Sequence, residues 1–497
     1  MLTNAKKPIK LNKTSLEIII LVQVIIISFL IIFRLVYQPL VFKQDSLVYI
    51  FSCTLCGIAI WSFWSWYIVT KSLFNPYLLF VLSAFLFNGG HAILEVLRFN
   101  ESGDVKLWEL SEHLPPLSLE SILNTLFLVI IGLAALHLGA LVSIGTAKLK
   151  YLKHYSEKTA LFASNSCYVI GKRFLWIAFL PAIFVLRDAV VVVMSSGYHS
   201  LHENVGATSF SAAPKIVADF LIPGSLFLLA GSKDRPQSRL VSVAIIITYV
   251  MTQFFLGERN KAIMPLISLA WIWHQLIRPI PKTFLLGTSS FILFVVFPVV
   301  ELSRNTAGKD RLSLDTLLET FSSINNPVVA ILAEMGGSMM TVSYTMGIVP
   351  KYIDFQMGMD YLYALFTIVP NVFGKLHPTV ARGLPNHWLT EQINPQLTSM
   401  SGSYGFSFIA EAYLNFGWIG TPIALGIMGF FFVKLMLWAE KSYDPAKMAM
   451  IASFLSFLLF YARAESALVV RALIWYSLIP YLSVRWLDNS SSKKLAR

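Results

Sequence analysis

Five cationic side chains are expected near one face of an otherwise apolar chain, and phosphate is the ligand that suits them best. They are Arg259, Arg304, Lys375, Arg463 and Arg471. A guanidinium offers a planar set of hydrogen-bond donors to phosphate oxygens and keeps its charge at any physiological pH. Several such groups around a diphosphate would stabilise the charge that develops on it as it leaves. The set therefore predicts a diphosphate-binding site, with Arg259 assisting the departure of the leaving group.

A transfer reaction at such a site also needs a group that removes a proton from an attacking hydroxyl. Glu411 is the first candidate, because it lies in the segment SGSYGFSFIAEAYLNFGWIG just before an apolar run, among glycines that permit close approach. Partial burial would make it a stronger base. A carboxylate favoured by the dipole of a helix N-terminus is the alternative interpretation. His377 is the alternative base, and Glu334, Asp354 and Asp360 rank behind it.

Several signatures of other chemistry are missing from the sequence. It contains no P-loop, no dinucleotide-binding glycine pattern, no Asp-x-Asp pair and no His-Glu-x-x-His motif. Two of its three cysteines lie within one apolar segment, which favours small apolar fillers over a disulfide framework or a zinc site. The sequence therefore predicts neither a metal site nor a bound cofactor.

The composition is that of an integral membrane protein. The chain has 497 residues, of which 56% are hydrophobic and 13% charged, and its mean hydropathy is +0.66. A soluble protein carries about 25% charged residues. The net charge of +12 comes from short basic runs between apolar segments, which indicates orientation in a membrane and not nucleic-acid binding.

About twelve segments are apolar over the roughly 20 residues that cross a bilayer as a helix. They span residues 16–37, 47–69, 76–95, 121–144, 174–195, 214–231, 240–256, 262–278, 284–301, 413–436, 446–462 and 467–484. Lipid cannot satisfy exposed backbone groups, so helices are expected. Every second connection is basic, which places both termini in the cytoplasm. The predicted fold is an all-α polytopic membrane protein with one large, partly helical periplasmic loop.

The predicted organisation has three parts. Residues 1–301 carry the first nine spans, 302–408 form the large outer loop, and 409–497 carry the last three spans and a cytoplasmic tail. The loop is not a polar linker, since RLSLDTLLETF has apolar residues at helical spacing and predicts an amphipathic helix. Asn325-Asn326-Pro327 ends it and opens a second helical run over 328–340. A long loop with apolar faces of its own is usually functional.

Four segments in the C-terminal half resemble the bacterial oligosaccharide repeat-unit polymerases of the Wzy type. They are LGERNKAIM, IVPNVFGKLHP, GSYGFSFIAEAYLNFGWIGTPIALG and RAESALVVRALIWY. They are similar, in order, to the family's Gly-x-Arg turn, its aromatic-proline loop segment, its glycine- and aromatic-rich entry into a span, and its arginine pair at the last span. The resemblance covers about residues 240–484, and the N-terminal part is similar in hydropathy profile.

The resemblance implies a GT-C-like membrane glycosyltransferase that works without a metal. It would move a growing glycan from undecaprenyl diphosphate onto a fresh lipid-linked repeat unit, on the periplasmic face of the bacterial inner membrane, to build O-antigen or related surface polysaccharide. Arg259, Lys375, Arg463 and Arg471 match positions that would grip diphosphates. Glu411 matches a position that not all relatives fill with a carboxylate. The expected partners are lipid-linked donor and acceptor, membrane lipids and a chain-length regulator protein, with no nucleic acid.

Three other functions remain open at this point. An O-antigen ligase shares the architecture and the arginines but uses a lipid A core as acceptor. A lipid-linked oligosaccharide flippase also has about twelve spans, although it needs polar groups at mid-membrane, where this sequence has few charges. A non-catalytic scaffold for export would not need charged residues inside the last span.

Overall fold

Helices make up the regular structure of the residues that the computed structural model describes. Those residues are 13–36, 44–99, 105–146, 157–198, 200–203, 212–303, 326–371, 374–400, 402–440, 442 and 444–495. The α-helices in chain order are α1 Lys13–Val36, α2 Gln44–Thr70, α3 Pro76–Leu97, α4 Leu119–Thr146, α5 Glu157–Ser196, α6 Ser200–Glu203, α7 Ala212–Ala218, α8 Leu221–Ala230, α9 Pro236–Leu256, α10 Arg259–Leu276, α11 Lys282–Phe291, α12 Phe297–Ser303, α13 Pro327–Gly336, α14 Ser338–Ile348, α15 Met359–Phe366, α16 Pro378–Arg382, α17 Pro385–Ile393, α18 Pro395–Ser399, α19 Phe408–Glu440, α20 Pro445–Leu458, α21 Ser466–Arg471 and α22 Ile479–Leu495. π-Helical turns cover Ile292–Val296 and Ala472–Leu478, and 3-10 turns cover Gly374–Leu376 and Leu459–Arg463. The predicted all-α fold is confirmed.

Twelve helices of the described residues are long and apolar enough to cross a membrane. Eleven of them coincide with predicted spans. The exception is the predicted span 262–278, which corresponds to α10 and is not among the twelve. Polar residues lie at both ends of α10 and leave only about twelve apolar residues between Lys261 and His274. Its place among the twelve is taken by Pro327–Ile348, the continuous pair α13 and α14.

The pair α13 and α14 contacts other chain segments that the sequence places outside. The hydroxyl of Tyr344 donates to the carbonyl of Pro115 at 3.0 Å, in the acidic outer connection before α4. The hydroxyl of Tyr413 donates to the Val349 carbonyl at 3.3 Å, near the start of α19. The assignment of the helical run 328–340 to the outer loop stays a prediction. The predicted amphipathic helix over 311–321 lies outside the described residues.

Glycines let the helices that frame the outer end of the fold touch backbone to backbone. A Cβ on Gly90 of α3 would lie 2.2 Å from the Leu332 carbonyl oxygen, and one on Gly336 would lie 2.6 Å from the backbone nitrogen of His91. In the same way, a Cβ on Gly139 of α4 would lie 1.8 Å from the Gly426 carbonyl of α19. Small residues at helix crossings permit this close approach. The first crossing fixes α13 against α3.

Candidate functional site

The turn between α9 and α10 places Arg259 beside Glu301 and Glu334. Gly257 ends α9 in the left-handed conformation, with φ of 89°, and its N–H donates back to the carbonyls of the last helical turn. Glycine adopts this conformation without a steric cost. The chain therefore reverses within two residues, and α10 begins at Arg259. The charged segment predicted as a polar turn is such a turn.

Two carboxylates hold the Arg259 guanidinium. Its Nη1 donates to Oε2 of Glu334 at 2.9 Å, and its Nη2 bonds to the other oxygen of the same carboxylate. Nη2 also pairs with Glu301, at the end of the ninth predicted span. The Phe297 ring lies 5.5 Å from the guanidinium carbon. Since planar two-point pairing fixes orientation as well as charge, Arg259 and Glu334 form a rigid unit.

Arg463 ends the 3-10 turn that closes the eleventh predicted span. Its guanidinium carbon lies 5.4 Å from the centre of the Phe87 ring and 5.7 Å from that of Phe460. Its buried Nε has no hydrogen-bond partner among the residues that the structure describes. A buried donor left unsatisfied is costly. Arg463 is thus held between aromatic faces, with its Nε buried.

A cavity of about 690 Å³ joins these groups. Its lining includes His91, Lys106, Glu109, Glu301, Glu334, Ser403, Tyr404 and Arg463. Arg259 is not among the lining residues, but it is bonded to two of the lining carboxylates, Glu301 and Glu334. Arg463 therefore lines the cavity directly, and Arg259, from a distant part of the chain, reaches it only through Glu301 and Glu334. The shared diphosphate site stays a prediction.

His91 ties three walls of the cavity together. Its Nε2 contacts the Ala333 carbonyl at 2.8 Å, and its Nδ1 accepts the backbone N–H of Trp108 at 2.9 Å. A carbonyl only accepts, so Nε2 carries the proton. The ring therefore links α3 to α13 and to the outer connection before α4. It positions the wall that carries Glu334.

Glu411 lies away from this lining and is enclosed by protein. It is 1% exposed. Its Oε2 accepts the backbone N–H of Ser466 at 2.8 Å and the hydroxyl of Tyr461 at 3.3 Å, while Oε1 accepts the Ser466 hydroxyl at 2.6 Å. In this position the carboxylate satisfies the first turn of α21. An attacking hydroxyl would have to displace these donors to reach it.

His377 is also engaged through both ring nitrogens. It is 2% exposed, its Nε2 contacts the Val369 carbonyl at 3.1 Å, and its Nδ1 lies 2.7 Å from the Thr379 hydroxyl. It caps the short helix α16. Lys375 falls in the preceding 3-10 turn, and the prediction for its side chain lies outside what the structure describes. The prediction for Arg304 also lies outside the described residues.

Arg471 occupies a different place from Arg463. Its Nε donates to the Thr367 carbonyl at 2.8 Å, at the end of α15, and it does not line the cavity. One turn later, the Trp475 indole donates to the Ile368 carbonyl at 2.7 Å. The two bonds join the last span to the outer loop. Arg463 lines the cavity and Arg259 reaches it through two carboxylates, whereas Arg471 lies beside a separate segment.

A second charged cluster fastens the outer loop to α19. Arg382 donates to Asp360 at 2.8 Å and to the Gln356 side chain at 2.6 Å, and the Asn415 amide donates to Asp360 at 3.0 Å. Burial raises the pKa of the Asp360 carboxyl, against the opposing effect of Arg382. Asp360 therefore has bound partners on both oxygens, which indicates a structural role.

From the sequence, Glu334 is a weaker candidate base than Glu411 and His377, and no sequence motif points to Glu301 or His91. Each is an isolated polar residue in an apolar helix, and nothing local distinguishes it. The available signal was Asn326-Pro327, which predicts the start of the helix that carries Glu334, and Asn326 does cap α13 through its side chain.

Comparison with known proteins agrees with the motifs in the C-terminal half. A family model described as O-antigen polysaccharide polymerase Wzy matches residues 18–494. Neither a curated protein sequence nor a solved structure gives a match to the chain. The family match extends over both the cavity and the N-terminal helices, for which the sequence motifs had offered only a hydropathy profile.

Proposed function

The chain belongs to the O-antigen polysaccharide polymerase family Wzy, and from that premise we propose that the cavity beside Arg463 binds the diphosphate of an undecaprenyl-linked glycan donor. As a member of the family it is a multi-pass bacterial membrane protein and a polymerase of the glycosyltransferase type. Polymerases of this family act on lipid-linked oligosaccharide repeat units in membranes. We propose in addition that the carrier is undecaprenyl diphosphate, that the reaction takes place on the periplasmic face, and that residues of this cavity bind the diphosphate.

The observation that carries the proposal is a cavity lined by Arg463 and by Glu301 and Glu334, the two carboxylates that hold Arg259. In the proposed reaction an acceptor sugar hydroxyl attacks the anomeric carbon of the donor, and the bond from that carbon to the diphosphate oxygen breaks. Arg463 lines the cavity and would bring its positive charge to the leaving diphosphate. Charge placed in advance where negative charge develops lowers the barrier most effectively. No step of this reaction requires a metal.

The periplasmic face is proposed from the positions of the cavity walls. Glu301, Tyr404 and Arg463 stand at the ends of spans that the distribution of Lys and Arg places outside. The same distribution gives cytoplasmic termini. A chain-length regulator is a further proposed partner at this face.

The polymerase is favoured over the ligase and the flippase by the family match. In the experiment that separates them, purified protein in lipid nanodiscs receives undecaprenyl-diphosphate-linked repeat units and no other substrate. A polymerase produces a ladder of lengthened glycans, also in the presence of EDTA. A ligase or a flippase leaves single repeats, which would contradict the proposal.

Variants of the cavity test the proposed site in the same assay. Arg463→Ala is expected to abolish the ladder and to weaken binding of undecaprenyl diphosphate. Arg187→Gln is the control, because Arg187 is an exposed arginine on α5 that does not line the cavity. A normal ladder from Arg463→Ala, with the control also normal, would refute the diphosphate site.

A further inference from the structure

We infer that Glu334 is the catalytic base of the transfer reaction, taking the proton of the acceptor hydroxyl; this inference rests on the proposed function. Its first support is accessibility. Glu334 lines the cavity, and 35% of its side chain is exposed. A general base must come within hydrogen-bond reach of the proton that it removes. Both Glu334 oxygens bond to Arg259, and the exposed part of the side chain faces the cavity, where an acceptor hydroxyl would approach it.

The bases selected from sequence do not meet it. Glu411 is 1% exposed, and both of its oxygens accept hydrogen bonds from protein donors. His377 is 2% exposed, and both of its ring nitrogens have partners. Neither residue lines the cavity. Glu411 and His377 accept hydrogen bonds from backbone N–H groups at helix N-termini. Glu334 instead faces the cavity, where an acceptor hydroxyl would enter.

Two other carboxylates line the cavity, and their contacts distinguish them from Glu334. Glu109 is paired only loosely, with its oxygen 3.9 Å from Lys106 Nζ. Glu301 meets Arg259 through one guanidinium nitrogen, whereas Glu334 engages two nitrogens with its two oxygens. Two-point pairing fixes the carboxylate plane. Glu334 is therefore the carboxylate with the most closely defined direction.

The backbone under Glu334 is fixed as well. His91 binds the carbonyl of Ala333, and Gly336 lies against the backbone of α3 with no room for a side chain. Catalytic groups work best on rigid elements supported by surrounding hydrogen bonds. Arg463, which is distant in sequence, belongs to the same lining and supplies the cation for the leaving group.

The proposed step balances in atoms and charge. The acceptor oxygen forms a bond to the anomeric carbon, and its proton passes to Glu334. The bond between the anomeric carbon and the diphosphate oxygen breaks, and its electron pair leaves with the lipid diphosphate. Glu334 then returns its proton to the leaving diphosphate or to water. Arg259, bound to Glu334, lies at the junction of base and leaving group.

Steady-state kinetics of Glu334→Gln in nanodiscs test the inference, with the lipid-linked repeat unit as substrate. The variant is expected to lose about 10²–10⁴-fold in kcat, with KM and undecaprenyl diphosphate binding nearly unchanged. Glu391→Gln is the matched control, because Glu391 is an exposed carboxylate of α17 that does not line the cavity. Its kcat is expected to stay within about threefold of the unmodified protein.

Sodium azide separates a base from a positioning residue. Azide is already an anion and needs no proton acceptor, so Glu334→Ala with azide should again consume donor and release glycosyl azide and lipid diphosphate. Loss of diphosphate binding in Glu334→Gln, or no azide product from Glu334→Ala that still binds diphosphate, would overturn the inference. If the unmodified protein makes no ladder, it is the proposed function that fails.

Discussion

Glu411 accepts both the backbone N–H and the hydroxyl of Ser466, at 2.8 and 2.6 Å. The pair joins the first turn of α19 to the first turn of α21, which begins after the helix is interrupted at Arg463. The Tyr461 hydroxyl adds a third donor to the same carboxylate. The alternative reading of Glu411, a carboxylate that satisfies helix N-terminal donors, thus has direct geometric support, although the donors belong to another helix.

Glu411→Ala is expected to destabilise the protein, because it leaves three donors buried without an acceptor. Each such loss costs about 1–3 kcal/mol. Thermal unfolding in detergent, followed by tryptophan fluorescence, should show a melting temperature lowered by several degrees. Glu391→Ala, at an exposed carboxylate of α17, is the control and should melt like the unmodified protein.

Glu411→Gln then separates stability from catalysis. The amide keeps one acceptor oxygen, and we expect the folded fraction to retain polymerase activity to within about threefold. A variant that is folded, binds diphosphate and has lost a hundredfold in kcat would restore Glu411 as the base and count against Glu334.

The stability of the protein is expected to depend on pH through the carboxyl group of Glu465. It lies between two membrane-spanning helices and is 6% exposed. Burial raises the pKa of its carboxyl from 4.5 to about 7, and the negative charge of Asp360 adds to the rise. Since the pKa is higher in the folded state, the stabilising contribution is complete below about pH 4.5 and is lost as pH rises through 7.

The melting temperature in detergent should therefore fall between about pH 5 and pH 8, through a contribution on the order of 3 kcal/mol. Glu465→Gln, which cannot ionise, should remove that part of the slope. Glu391→Gln serves as the exposed control and should keep it. An unchanged slope in Glu465→Gln would assign the dependence to other groups.

Local sequence features predicted most of the helices and the turn at Arg259, because span length, hydropathy and Gly257 act within a few residues. They failed where a property depends on distant chain segments. The partner of Arg259 is Glu334, 75 residues later. The glycines around Glu411 suggested an open site, but Ser466 and Tyr461 cover it. Burial and pairing of this kind follow from tertiary packing, which a single sequence pattern does not contain.

Arg471→Ala is expected to shorten the polymer to single repeats in cells while the protein stays in the membrane. The family resemblance assigns Arg471 to diphosphate binding, and the structure places it outside the cavity lining, with its Nε on the Thr367 carbonyl. The variant therefore tests a phosphate contact separate from the cavity beside Arg463. Glycan length is read on gels, and protein level by immunoblotting.

Trp475→Phe is the control for Arg471, because it removes the neighbouring bond to the Ile368 carbonyl without removing charge. It should leave the chain-length ladder near normal. If both variants shorten the polymer equally, Arg471 acts by holding the outer loop in place and not through its charge.

Gly417→Ala is expected to disrupt the entry of α19 into the membrane. Gly417 interrupts the helix with φ of 63° and ψ of −159°, a region open essentially to glycine alone. A Cβ there would lie 2.8 Å from the Phe355 ring. Strain of this kind costs about 1–3 kcal/mol, and a steric clash adds to it. Thermal unfolding should therefore show a lower melting temperature.

Gly287→Ala in α11 is the matched control, because a Cβ at that position meets nothing within 4 Å. Alanine is favoured over glycine in a helix by up to about 1 kcal/mol, so this variant should melt no lower than the unmodified protein.

Asn415, two residues before the break in α19, accepts the backbone N–H of Gly358 in the outer loop at 3.0 Å. If Gly417→Ala keeps both the melting temperature and the polymer ladder, the break in α19 is not needed to seat the outer loop on the bundle.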